Sequence, residues 1–433
     1  MRARPAVALS VLTALTLTAP VLAAAPATAA PVATAATAAS GVGPGQSTTP
    51  AAFVPLNIRR LLDTRDARET PAGQARPLNP GESFDVPLSA WKSHPEREVP
   101  VVPKEATAVL VNVTVTNPST DGYLTVRRDG DMPGPPATST LNFRAGETIS
   151  NTIAVAVAPP GSAKGPQINL YNNAGTTHVV VDVLGYYAPT GTDKYDAVQP
   201  TRLVDSRISG GRLGWGSIVS PKVATAELGT AGAKAVVLNV TAAEPSTSGF
   251  VTAYPSGEPY PSEGSNLNYA PGRTTANQVV VPVGADGRIN VFNTGSTDLV
   301  VDIVGFYGPS GHNLFSAVTE QPRLLDTRYG SALMPFATRV LPVAGGNTGV
   351  PPTATAATLN VTVTGPGAGG HVDVFRADDI RPGTSSVNFN PGQTVANGVT
   401  SELGDVPGAV GIYLHSAAPA QAIVDLTGFF TAG

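Results

Sequence analysis

Seven polar residues able to pair charges or share protons occur three times in this chain, in the same order. The first set is Arg60, Asp63, Arg65, Asn112, Asn142, Asn151 and Asp182. The second is Arg202, Asp205, Arg207, Asn239, Asn268, Asn277 and Asp302; the third is Arg323, Asp326, Arg328, Asn360, Asn388, Asn397 and Asp425. Guanidinium and carboxylate groups pair in a bidentate fork. Asp182 lies among valines in Val179–Val183, and a carboxylate on such a strand cannot be buried unpaired. The arginines of the opening hexapeptide are its natural partners. Arg65, or failing that Arg60, is expected to pair with Asp182, with Arg207–Asp302 and Arg328–Asp425 as equivalents. On this reading the set is a structural polar network that fixes the register of first and last strands. A ligand pocket repeated three times is the alternative.

Other chemistries fit less well. Calcium wants six to eight oxygens, usually several from carboxylates, and here two aspartates lie beside two arginines. Asp63-Thr64 and Asp326-Thr327 lack the glycine of an aspartic protease and occur in strands. The five histidines, His94, His178, His312, His371 and His415, do not recur in register, and none has metal-ligand spacing to another. No Gly-x-Ser-x-Gly, phosphate-binding loop or Cys/His pair is present. No catalytic residue, metal or cofactor is assigned. Asn112, Asn239 and Asn360 each begin a glycosylation sequon, but inside strands. Candidate ligand contacts are Trp91 and His94, in a segment present only in the first repeat, and the aromatics Tyr123 and Phe250.

The elements that position these residues are short strands. RLLDTR (Arg60–Arg65) returns as Arg202–Arg207 and Arg323–Arg328, and VVVDVLGYY (Val179–Tyr187) returns as Leu299–Tyr307 and Ala422–Phe430. Asn142, Asn268 and Asn388 are 126 and 120 residues apart, so each copy has the length of a domain. Period-two alternation is plain in Ala108–Thr116 and His178–Tyr187. Eight strands are expected in the first copy, near Arg60–Arg65, Ser83–Leu88, Ala108–Thr116, Tyr123–Arg128, Ser139–Phe143, Thr152–Val157, Gln167–Tyr171 and His178–Tyr187. The fold class is all-β: three tandem β-sandwich domains, jelly-roll or Greek-key-like, over residues 53–190, 195–309 and 315–433. The short junctions Ala188–Lys194 and Gly308–Asn313 separate what are expected to be independent folding units. Asp63 to Asn112 spans 49 residues where the other copies span 34, which marks an insertion in the first.

Residues 1–30 read as a secretory signal peptide, with Arg2 and Arg4 before the apolar Ala6–Leu17 and cleavage after Ala25, Ala29 or Ala30. Residues 31–52 are rich in Ala, Thr and Pro and read as a disordered lead-in. There is no cysteine, so packing alone must hold the exported chain. Loss of Arg2 and Arg4 takes the formal charge from −4 to −6, and no basic cluster suits nucleic acid. No membrane span is expected in the mature chain.

RLLDTR, Leu-Asn-Val-Thr, Gly-Tyr-Leu-Thr, Leu-Asn-Phe-x-x-Gly-x-Thr-x-x-Asn and Val-Val-Val-Asp-Val-x-Gly-Tyr-Tyr together resemble a β-rich repeat of secreted actinobacterial proteins. That repeat often occurs in tandem or fused to secreted hydrolases, and the resemblance covers nearly all of residues 53–430. It implies an extracellular accessory module and supplies no catalytic residues. The expectation is a secreted, non-enzymatic protein for adhesion or binding at the cell envelope. Cell-wall or extracellular polysaccharide, or a surface protein, is the candidate partner. A self-assembling surface protein is the second reading and a cryptic secreted hydrolase the third.

Overall fold

In the computed structural model the described residues are 47–71, 73–88, 102–130, 134–157, 165–405 and 408–433. The expected signal peptide lies outside them, as do Trp91, His94 and most of the insertion. So does the lead-in up to residue 46. Its last residues correct the expectation of disorder. Thr48 N–H donates to Ala317 O at 2.8 Å and Ala51 N–H to Phe315 O at 2.9 Å. Backbone pairing of this kind needs no apolar side chains, so composition could not reveal it.

The first repeat comprises β1 (Ala52–Asp63), β2 (Ser83–Pro87), β3 (Ala108–Thr116), β4 (Gly122–Arg128), β5 (Leu141–Phe143), β6 (Ile149–Ala156), β7 (Gln167–Asn172) and β8 (His178–Ala188). The second comprises β9 (Lys194–Asp205), β10 (Ser217–Val219), β11 (Ala235–Ala243), β12 (Gly249–Pro255), β13 (Leu267–Tyr269), β14 (Thr275–Pro282), β15 (Ile289–Asn293) and β16 (Asp298–Gly308). In the third the opening strand is split into β17 (Asn313–Ala317) and β18 (Arg323–Asp326). Then follow β19 (Thr338–Pro342), β20 (Ala354–Thr364), β21 (Gly370–Arg376), β22 (Val387–Phe389), β23 (Val395–Glu402), β24 (Ala409–Ser416) and β25 (Gln421–Ala432). Each repeat is two facing antiparallel sheets. Their strand orders in the first are β1-β8-β3-β6 and β2-β7-β4-β5, and the other two repeat this order. That is the jelly-roll arrangement. Among the described residues no helix is long and apolar enough to cross a membrane.

The alternation in β3 has a cause on each face. Val109, Val111, Val113 and Val115 pack in the sandwich interior with Leu124, Val126, Ile168 and Leu170. Leu110 turns the other way, into an apolar cluster drawn from all three repeats, with Tyr187, Val237, Val280, Tyr307, Ala356 and Phe430. Both faces of β3 are therefore buried. The repeats belong to one compact unit. Strands also pair at the short junctions, Phe53 with Asp193 and Tyr195 with Asn313, and Ala51 pairs with Phe315 of the third repeat. The expectation of independently folding repeats thus gives way to three jelly rolls around a shared buried centre.

Candidate functional site

The opening and closing strands position the repeated charges. β1 lies antiparallel to β8 with Arg60 opposite Asp182. Arg60 Nε reaches Asp182 Oδ1 at 2.6 Å and Arg60 Nη1 reaches Asp63 Oδ2 at 3.0 Å. Arg65 lies beyond the end of β1, in the turn, and folds back on Asp63 with Nη2–Oδ2 at 2.6 Å. The preferred Arg65–Asp182 pairing is therefore corrected to Arg60–Asp182. In the same way Arg202 meets Asp302 at 2.8 Å and Arg323 meets Asp425 at 2.9 Å, while Arg207 and Arg328 each hold their own Asp205 and Asp326 at 2.6 Å. Asp182 is fully buried, and burial pushes its carboxyl above the ordinary value against the pull of Arg60. Asp302 and Asp425 are raised for the same reason. Burial also pushes Asp63 up, but the hydrogen bonds and charge of Arg65 outweigh it and hold the carboxyl low.

The asparagines close three like interfaces. Between first and second repeats, Asn112 Nδ2 donates to Ser265 O at 2.6 Å, Asn277 Nδ2 to Asn112 Oδ1 at 2.9 Å, and Thr152 N–H to Asn277 Oδ1 at 3.1 Å. Between second and third, Asn239 donates to Ser385 O at 2.6 Å, Asn397 to Asn239 at 3.2 Å, and Gln278 N–H to Asn397 at 3.1 Å. Between third and first, Asn360 donates to Ser139 O at 2.7 Å, Asn151 to Asn360 at 2.9 Å, and Gly398 N–H to Asn151 at 2.7 Å. Asn142, Asn268 and Asn388 bond the hydroxyls of those same serines, Ser139, Ser265 and Ser385. The interface amides are buried, so the sequon match at Asn112, Asn239 and Asn360 coincides with strand positions that face other repeats.

Six aromatic rings complete the centre. In order they are Phe53, Tyr187, Phe315, Phe430, Tyr195 and Tyr307, and the last returns to Phe53. Neighbouring centroids lie 5.0, 4.2, 5.0, 4.2, 5.3 and 4.3 Å apart. Each repeat contributes its opening aromatic and the second residue of its closing pair. Gly185, Gly305 and Gly428 of the closing motif make room for the opening rings: a Cβ at Gly305 would sit 2.5 Å from Tyr195. All of this chemistry is scaffold.

The third repeat departs from its siblings on the outer face of β21 and β24. His371 stands directly opposite His415, where the first repeat has Tyr123 and Asn173 and the second Phe250 and Thr294. Tyr123 and Phe250 are half-buried, and their N–H groups donate to the Asn173 and Thr294 side chains. In the third repeat the two imidazoles meet each other, His415 Nδ1 to His371 Nε2 at 3.2 Å. The hydroxyls of Thr125 and Thr252 are replaced by the buried carboxylate of Asp373. Arg381 Nη1 pairs with its Oδ2 at 3.0 Å and stacks 4.1 Å from the Tyr413 ring; Oδ1 lies 3.3 Å from His371 Nε2 but has no hydrogen bond. Burial, then the neighbouring cations, bring His371 down to about 4, and burial lifts Asp373 to about 6.

Beside His415 lies Phe336, centroids 5.5 Å apart. Its N–H donates to Leu414 O, as those of Gly81 and Gly216 donate to Asn172 O and Asn293 O. The two glycines have φ of 74° and 80°, and Phe336 has φ of 52°. A bulky side chain there is strained, and this one is 57 % exposed. A cleft of about 330 Å³ between second and third repeats runs past His371, Ser385 and Asn388 to Arg202, Arg207 and Glu244. Among the described residues no group of three or more His, Asp or Glu is arranged to hold a metal ion.

The sequence pointed to the scaffold residues and missed this cluster, because His371 and His415 are 44 positions apart and meet only through strand register. The simultaneous loss of Tyr or Phe, Thr and Gly in one copy was the available signal.

No protein-family model matches the chain, and no curated protein does. Among solved structures, one described as the triple jelly roll fold and turret assembly in an archaeal virus is 10% identical. It covers 90% of this chain and 98% of its own, with a TM-score of 0.17. A second, from Sulfolobus turreted icosahedral virus, is 10% identical over 90% of this chain and 99% of its own, with a TM-score of 0.16. The fold assignment stands on the strand order alone.

Proposed function

We propose that this is a secreted, non-catalytic protein that binds at the cell envelope or to an extracellular polymer, its three repeats acting as one platform. The observation carrying this reading is the division of labour among polar residues. The triplicated Arg, Asp and Asn side chains are engaged in strand and interface contacts. Of the side chains that change in concert, Phe336 and His415 are exposed on an outer face of one repeat, His371 is half-buried and Asp373 lies buried beside them. Export rests on the leader-like residues 1–30, and the repeat motif resembles that of secreted actinobacterial proteins.

Two experiments test this. N-terminal sequencing of the chain from culture medium is expected to start after Ala25, Ala29 or Ala30. The mature chain is expected to sediment with purified cell wall or an insoluble polysaccharide. A chain retained in the cytoplasm, or one that sediments with neither material, contradicts the proposal.

A further inference from the structure

We infer that the outer face of the third repeat is a binding site for a neutral, hydroxyl-rich sugar chain, with Phe336 as the stacking platform, His371 and His415 as the polar wall, and the buried Asp373 holding that wall from behind. The inference rests on the proposed binding role and adds a place and a ligand class to it.

Four observations converge. Phe336 occupies a left-handed backbone position that the sibling repeats fill with glycine, and its ring is mostly in solvent. Strain of this kind persists where the surroundings impose it and collects at ligand sites. A flat exposed ring offers the apolar CH face of a pyranose a stacking partner. Next to it, His415 and His371 present imidazole nitrogens that donate or accept, as sugar hydroxyls require. Below them Asp373 is fully buried and held by Arg381, with one carboxylate oxygen lacking a hydrogen bond.

Charge balance selects the ligand class. Arg381 is compensated by Asp373, Arg202 by Asp302 and Asp205, and Arg207 by Asp205. Glu244 adds a further negative charge to the cleft, so face and cleft carry no surplus positive charge to attract an anionic polymer. The cleft continues from His371 along Ser385 and Asn388, which offers further polar groups to a chain lying beyond the imidazoles.

The test uses the full mature chain and calorimetric titration with a neutral glucan hexasaccharide, an N-acetylglucosamine hexasaccharide and a polygalacturonate oligomer. The variants are Phe336→Gly and His371→Tyr, which restore residues that sibling repeats carry, so the fold is retained. Wild type is expected to bind at least one neutral hexasaccharide, and each variant to weaken it by tenfold or more with no loss of thermal stability. Unchanged affinity in both variants overturns the site while leaving the binding role standing. Binding of polygalacturonate alone overturns the ligand class. Wild type that binds no hexasaccharide but sediments with cell wall overturns this inference only; wild type that binds neither removes the proposed function with it.

Discussion

Asp182 and its equivalents are the residues whose removal separates scaffold from site. The Asp182 side chain is fully buried and Arg60 is 15% exposed. Asp182→Ala is expected to cost about 3–5 kcal/mol, because Arg60 keeps its buried charge without its main partner. Arg65→Ala, at a half-exposed pair, is expected to cost below about 1 kcal/mol. Urea melts of the full chain check both, and equal costs would contradict the assigned pairing. At the third-repeat face, pH supplies a second test. An unfolded histidine protonates near 6.5 and His371 only near about 4, so it contributes stability above 6.5 that is lost as pH falls toward 4. Asp373 has the opposite sign: its contribution is full below 3.8 and is lost as pH rises through about 6. Between about pH 4 and 6 the two slopes oppose each other. Relative to wild type, in which the other shifted carboxyls are the same, Asp373→Asn should make the slope of stability against pH more positive across that window, and His371→Tyr more negative. Arg381 pairs with Asp373 and His415 meets His371, and both residues are retained in either variant. Slope changes of the same sign in the two variants would contradict the assignment.

At the scale of elements, the closing motif shows what repetition means physically. Its glycine is the floor on which an opening aromatic ring lies, so Gly305→Ala drives a methyl into Tyr195. We expect a cost of about 1–3 kcal/mol from overpacking, with the near-ultraviolet dichroism of the tyrosines altered; a neutral effect on both would contradict the ring geometry. Strands were legible because alternation is a local property: β3 spans Ala108–Thr116 as the pattern indicated. Their partners were not. Arg60 and Arg65 both lie in RLLDTR, but only Arg60 is on β1 opposite Asp182, whereas Asp63 ends the strand and turns Arg65 back toward itself. β1 also starts earlier than the motif, at Ala52, because Phe53 must reach the aromatic ring at the centre. His371 and His415 were invisible as a pair for the same reason as Arg60 and Asp182: register is fixed by packing across the sheet.

At the scale of the molecule, the repeated asparagines carry the organisation. A strand of an isolated sandwich has one wet face, where repeated Asn112 and Asn151 would have no reason to stay buried. Here both faces are covered, one by the repeat's own second sheet and the other by its neighbours. The polar residues on the covered face were the legible sign of packed repeats; the short turn-rich junctions masked it by marking the repeats as separate folding units. Asn277→Ala removes the donor to Asn112 and the acceptor of Thr152 N–H. Thr152 N–H is left buried without its acceptor, while Asn112 Oδ1 keeps the Thr152 hydroxyl, so a loss of about 1–3 kcal/mol is expected, felt by the first repeat as much as by the second. A tryptophan-free probe placed in each repeat should report the same shifted midpoint; a shift confined to the second repeat would contradict the shared network. The central claim, three jelly rolls folded as one body, is tested most directly by scanning calorimetry of the full mature chain. The account predicts a single transition whose van't Hoff and calorimetric enthalpies agree. Three separable transitions, or a calorimetric enthalpy about three times the van't Hoff value, would contradict it.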